Sequence, residues 1–301
     1  MRINPVLQKE LKTKLRGWRA TVLISCYVIF LGAILLIYFA GSGMLNPYNV
    51  SGFNPRLAVN AYNILTVFQF ALLFIAVPAI TATSISGERE RQTLDLMLVT
   101  KTHPGKIIIG KVIVSIAHTM LLLIASMPVL GVVFFFGGVG IADIARLLLF
   151  YVFTAFFVAS SGVLFSTLFR RNITAIISTY IFLGLIAFGP FFGYLIHLYI
   201  KEQAAIVSSI AYTPNYGEIL AILFPSPVFG FTSFFFSGSI DYYSFDLWGT
   251  VAGYIDGYLA QQTGILRLMK PWIANSIFSI IASVLLIIIS TAVLNPIKRK
   301  R

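Results

Sequence analysis

Only one cysteine occurs in the chain, Cys26, and it sits inside an apolar run. A single thiol cannot close an internal disulfide, and it supplies one ligand where a structural zinc site needs about four. Packing is the role expected of it. The three histidines, His103, His118 and His197, stand apart, and none belongs to an H-E-x-x-H pair. Charge is scarce as well: 11% of the residues are charged, against about a quarter in soluble domains. No set of residues has the composition of a catalytic centre, so an enzyme is not expected, and neither is a cofactor. The nearest approach to a phosphate-binding loop is Gly105–Val112, with Gly110 and Lys111 in register. It ends on Val112 where a magnesium-ligating hydroxyl is needed, no strand precedes it, and it runs into an apolar helix.

What the chain has instead is apolar surface, 58% of its residues. Water cannot hold that much, so the solvent must be lipid. A helix needs about 20 apolar residues to cross the hydrocarbon layer. Six segments qualify: Ala20–Ala40, Ala61–Thr81, Ile107–Phe136, Leu147–Phe169, Ile173–Ile200 and Trp272–Leu294. Lys111 is the only charged residue in them. Pro78, Pro128 and Pro190 fall within spans, where kinks are tolerated if neighbouring groups satisfy the freed backbone. The expected fold is an all-α integral membrane protein of six spans, a single transmembrane domain over residues 1–301. The run Ala20–Ala40 is longer than a signal-peptide core, so it is expected to remain as a span.

Basic residues set the orientation. With the N-terminus inside, the inner face collects Arg2, Lys9, Lys12, Lys14, Arg16 and Arg19, then Arg89, Arg91, Lys101, Lys106 and Lys111, then Arg170, Arg171 and Lys298–Arg301. Only Arg56, Arg146, Lys201, Arg267 and Lys270 remain outside. Both termini are therefore expected in the cytoplasm. The net charge of +12 reads as a topology signal, and nucleic acid is not expected as a partner. Ile219–Phe236 is a seventh uncharged stretch, but Pro225 and Pro227 interrupt it. A further crossing would put the basic C-terminus outside, so this stretch is expected to be re-entrant or interfacial.

Three segments outside the spans carry functional expectations. Residues 1–19 contain Leu7, Leu11 and Leu15 on one helical face among Lys9, Lys12, Lys14 and Arg16. That pattern suits a helix lying on membrane lipid, or one that merely sets orientation. Residues 83–106 join spans two and three on the inner side. Ser86 or Gly87 can start a helix, with Glu88 and Glu90 in its first turn, and Leu94, Met97 and Leu98 then share a face. Arg91 can pair with Glu88 or Asp95 along it, and Pro104 opens the next helix. This helix can dock a soluble partner or rest on headgroups. Residues 201–270 form an aromatic outer segment with Gly249, Gly253 and Gly257 at small-residue spacing. It can be an outer gate or an interfacial belt.

At this point the residues resemble a family. Asn4-Pro-Val-Leu-Gln-Lys-Glu-Leu-Lys12 is similar to the opening of the permease subunits of type-2 ABC exporters. Gly87-Glu-Arg-Glu-Arg-Gln-Thr-Leu-Asp-Leu-Met-Leu-Val-Thr100 is similar to their G-E-[RK]-E-x-x-T-L-[ED]-L-L-L-x-[ST] stretch, and Ile107-Ile-Ile-Gly-Lys111 follows as theirs does. The turn His103-Pro-Gly-Lys106 departs from their usual Ser, Arg, Trp or Glu. The resemblance implies a coupling helix near Glu88–Val99 that fits a groove on a separate ABC ATPase subunit. Gly87, Glu88, Arg89, Glu90, Arg91, Thr93, Leu94, Asp95 and Leu98 would make that contact. It also implies a second permease subunit, identical or different, and a place in the inner membrane of the cell. Two other classes compete. An ion-coupled transporter or channel would place ionisable groups at the midplane or use paired broken helices. The spans carry no such midplane groups, and no clear repeat is visible. A membrane scaffold of a secretion or motility machine could share the pattern.

Overall fold

The computed structural model describes residues 18–42, 55–94, 104–135, 137, 139–208, 212, 214–235, 255 and 257–294. The helix expected over residues 3–19 lies, except for its last two residues, outside the described residues, as do the coupling segment beyond Leu94, most of the aromatic run after Phe235, and the basic C-terminus. The long helices are α1 (Trp18–Gly41), α2 (Pro55–Thr81), α4 (Pro104–Phe135), α5 (Ile141–Leu168), α6 (Asn172–Ser208) and α10 (Pro271–Leu294). Between them lie α3 (Ser86–Glu90), α7 (Tyr216–Leu223), α8 (Pro227–Phe231) and α9 (Ile265–Leu268). Among the described residues all regular structure is helical, and six helices are long and apolar enough to cross a membrane. In a bilayer only helices and closed barrels satisfy their own backbone, which accounts for the helical solution.

The chain divides into two compact units, residues 1–179 with 282–301, and residues 180–281. In the first unit α2, α4 and α5 pack on one another, and α1 lies against α4 and α2. Helix α5 is the most enclosed and α1 the most exposed. The reason is visible in the α5 sequence, where Ala155, Ala159, Ser160, Ser161, Gly162 and Ser166 are small and buried. Small residues let backbones approach where no hydrophobic effect drives helices together. A Cβ on Gly162 would stand 1.9 Å from Thr81 Oγ1 on α2, so this glycine is demanded by closeness.

Larger side chains fill the remaining space. Tyr62, Leu65, Phe150, Tyr151 and Phe157 are fully buried, and Phe70 stacks on Phe150 and Tyr151 at centroid distances of 6.3 Å. The Tyr151 hydroxyl donates to the Thr66 carbonyl at 2.8 Å, as a buried phenol requires. Several hydroxyls within the spans return to their own helices. Ser115 donates to the Lys111 carbonyl, Thr119 to that of Ser115 and Ser126 to that of Leu123, which leaves these groups satisfied without water. Many apolar side chains stay exposed, among them Ile29, Leu36 and Ile37 on α1 and Ile288 on α10. Such a surface belongs against lipid.

In the second unit α7 and α8 form a broken pair. Helix α7 stops at Leu223 and α8 starts at Pro227, with Ser226 accepting from the Phe229 N–H as its cap. Proline at the first helical position loses nothing there, because that N–H has no intrahelical partner. Tyr216, Leu220, Leu223, Phe229, Ile255 and Leu259 make a core. Tyr216 donates to the Met269 carbonyl at 2.7 Å, and Asn275 to the Phe224 carbonyl at the break at 3.0 Å.

Helix α6 is longer than its apolar core. Its 37 residues span about 55 Å at 1.5 Å per residue, well beyond the hydrocarbon layer, and its end carries Lys201 and Glu202.

Candidate functional site

The segment singled out by sequence follows directly on α2. Its first turn has free N–H groups, as any helix start does. Ser166 of α5 meets two of them: its Oγ accepts from Ile85 N and from Ser86 N, each at 2.9 Å. The Ser86 hydroxyl lies 2.6 Å from Asn172 Oδ1, at the start of α6. Helix α3 is thus seated by hydroxyls on the turn between α5 and α6.

Glu88, Arg89 and Glu90 then separate, each to a different long helix. Glu88 forms an ion pair with Lys111 of α4, whose side chain is 5% exposed, against 21% for Glu88. Arg89 donates to the carbonyls of Thr167 and Phe169 at 3.2 Å each, where α5 ends. Glu90 accepts from the Asn172 backbone N–H at 2.8 Å and from its side-chain amide at 2.5 Å, where α6 begins. A cation at a helix C-terminus and an anion at a helix N-terminus are both favoured by the aligned peptide dipoles, by about 0.3–1 kcal/mol each. Adjacent residues of opposite sign therefore close the two ends of the α5–α6 turn. Gly87 has room: a Cβ there would meet Asn172 Oδ1 at 3.5 Å.

The helix is shorter than the pattern suggests. A continuous helix from Ser86 through Leu98 is expected from the spacing, but α3 ends at Glu90. The Gln92 N–H donates to the Arg89 carbonyl and the Thr93 N–H to the Glu88 carbonyl, with Gln92 at φ 58°. This is a helix-ending motif in which one residue turns left-handed so that the last carbonyls find donors. Helical pairing of Arg91 with Glu88 gives way to the Glu88–Lys111 pair. Arg91, Gln92 and Thr93 are exposed, and Leu94 is buried. Asp95 and Leu98 lie outside the described residues.

A family model described as "ABC-2 family transporter protein" matches residues 4–294. The chain belongs to that family. It is a multi-pass membrane protein and a permease subunit of an ABC transporter, a transport subunit of a family that generally works with ABC ATPase partners. No curated protein matches it.

Within this ABC-2 permease, sequence reasoning found the segment and missed its anchors. Lys111 stood out as the charged residue of a span, in a failed phosphate loop and in the family-like Gly-Lys pair, but not as a partner of Glu88. Ser166 and Asn172 carry no local signal, because a serine in a span and an asparagine at a helix start are both ordinary. Cys26 also differs from expectation. It is exposed on α1.

The second unit holds another polar group. Glu218, in the first turn of α7, accepts from the Tyr212 hydroxyl, and His197 Nε2 lies 3.5 Å from its Oε2. The Tyr212 hydrogen bond holds the Glu218 carboxyl below its usual range, with burial opposing and with His197 and Lys201 helping. Among the described residues no three His, Cys, Asp or Glu side chains group as metal ligands do.

Proposed function

We propose that the turn after α3 docks an ABC ATPase, and that this permease works as half of an exporter. One observation carries the reading. Glu88, Arg89 and Glu90 tie the segment to α4, α5 and α6, while Arg91, Gln92 and Thr93 are left exposed. A push on the exposed turn is transmitted to three long helices through short polar links, which is what coupling to a motor requires. In this reading Gly87, Glu88, Arg89, Glu90 and Leu94 position the surface, and Arg91 and Thr93 touch the partner. Asp95 and Leu98 extend the contact on sequence grounds alone. Arg170 and Arg171 are exposed beside the Asn172 anchor, so the complementary groove carries carboxylates.

ATP hydrolysis then resides in the other chain, and two permease copies enclose the pathway. The basic clusters favour both termini in the cytoplasm and a place in the inner membrane. The basic helix of residues 1–19 rests on lipid headgroups, and the broken α7–α8 pair forms a re-entrant outer element.

Co-expression with the partner ATPase tests the docking surface. Arg91→Glu should weaken co-purification about tenfold, the size of one lost interfacial charge contact, with unchanged thermal stability of the permease. Full retention of the ATPase by a combined Arg91→Glu, Thr93→Ala variant would sink the assignment.

A further inference from the structure

Within the first unit, α1, α2 and α4 enclose a cavity of about 360 Å³. That lies inside the roughly 300–1,000 Å³ range of ligand pockets. Its wall is almost wholly apolar, with Phe30 from α1, Leu72 and Val77 from α2, and Leu122 from α4. Tyr27 of α1 also lines it, its hydroxyl paired with Ser126, and Gln69 of α2 is the polar side chain left unmet. It is 2% exposed, and neither its Nε2 nor its Oε1 has a hydrogen-bond partner among the described residues. Thr119 also lines the space, but its hydroxyl is spent on the Ser115 carbonyl. A buried carboxamide with both ends unmet is costly in an apolar site, and a helix face toward lipid offers no water to relieve it. No charged side chain lines the cavity. Cys26 and Phe30, both in its wall, are themselves exposed, so the space can be reached from the side that meets lipid.

We infer that this cavity binds a neutral amphiphile taken from the bilayer, its chain against the apolar wall and a hydroxyl or amide group against Gln69. A hydroxyl can donate to Oε1 and accept from Nε2, so one group meets both needs. A charged headgroup is disfavoured, because nothing in the wall offsets its desolvation. The site does not depend on the docking surface, and its test needs no ATPase.

The test uses the full chain in phosphatidylcholine nanodiscs. The probe is dioctanoylglycerol with a diazirine in one acyl chain, followed by photolysis and peptide mapping. Labelling should concentrate on the α1 stretch around Cys26–Phe30 and the α2 stretch around Gln69–Val77. The analogue with hydrogen in place of the hydroxyl should need about tenfold higher concentration, the equivalent of one hydrogen bond. Gln69→Leu should show the same tenfold loss with the hydroxyl probe and no difference between the two probes. Dioctanoyl phosphatidic acid should not compete. Labelling spread evenly over exposed helix faces, equal binding of the two analogues to the wild type, or full competition by the phosphatidic acid would overturn the inference. The wild-type comparison decides even if Gln69→Leu does not fold. A neutral lipid recovered by extraction of the purified chain would support the inference as well.

Discussion

Replacing Glu88 with Gln should destabilise this permease more than its position on a short turn between spans suggests. Lys111 is 5% exposed, and the Glu88 carboxylate to which it donates is 21% exposed. Removing one member of a buried ion pair costs about 3–5 kcal/mol, mostly because the other charge remains desolvated. Water reaches Glu88 in part, so the low end, about 3 kcal/mol, is expected for Glu88→Gln. Lys111→Met removes the more buried charge and leaves a carboxylate that can hydrate, so about 1 kcal/mol is expected there. The double variant should resemble Lys111→Met alone, giving a coupling of about 3 kcal/mol. The assay is thermal unfolding of the full chain in detergent, followed by intrinsic fluorescence. At about 2–4 °C per kcal/mol, Glu88→Gln should lower the midpoint by about 6–12 °C. A Glu88→Gln midpoint within about 2 °C of the wild type, or a double variant that loses the sum of the single losses, would refute the reasoning.

The close approach of α5 to α2 makes a second prediction. In Gly162→Ala the new methyl would sit 1.9 Å from Thr81 Oγ1 and 3.2 Å from the Ala82 backbone nitrogen. Overpacking of this kind costs about 1–3 kcal/mol, and Thr81→Ala in the same chain should recover part of it in thermal unfolding; no loss in Gly162→Ala would contradict the packing. The second unit should respond to acid. Because the folded Glu218 carboxyl lies below its ordinary value of 4.5, its stabilisation is present above that value and fades as pH falls through the folded one. The unfolding midpoint should drop at the acid end, and Glu218→Gln should flatten that drop; an unchanged acid limb in the variant would show that the Tyr212 bond does not stabilise the fold.

Much of the architecture was legible because lipid imposes a simple rule. A span must be apolar for about 20 residues, so runs such as Ile173–Ile200 declare themselves in α6. Prolines 225 and 227 marked the break between α7 and α8 for an equally local reason, their missing N–H groups. The candidate site was legible only as a string. Periodicity extended its helix through Leu98, because sequence pattern does not register that Gln92 turns left-handed. Nor did spacing along one helix show that Glu88 prefers Lys111 of α4 to Arg91 beside it.

Composition and patterning alone determined that this chain crosses a membrane and where its spans lie, since hydropathy and charge placement are properties of the string. The tertiary structure decided the rest. It sent Glu88, Arg89 and Glu90 to three different helices, because each free helix end or buried charge demanded a partner that only folding could bring near. It also left Gln69 buried in an apolar cavity with its amide unmet, a fact about the space between helices that no reading along one of them contains.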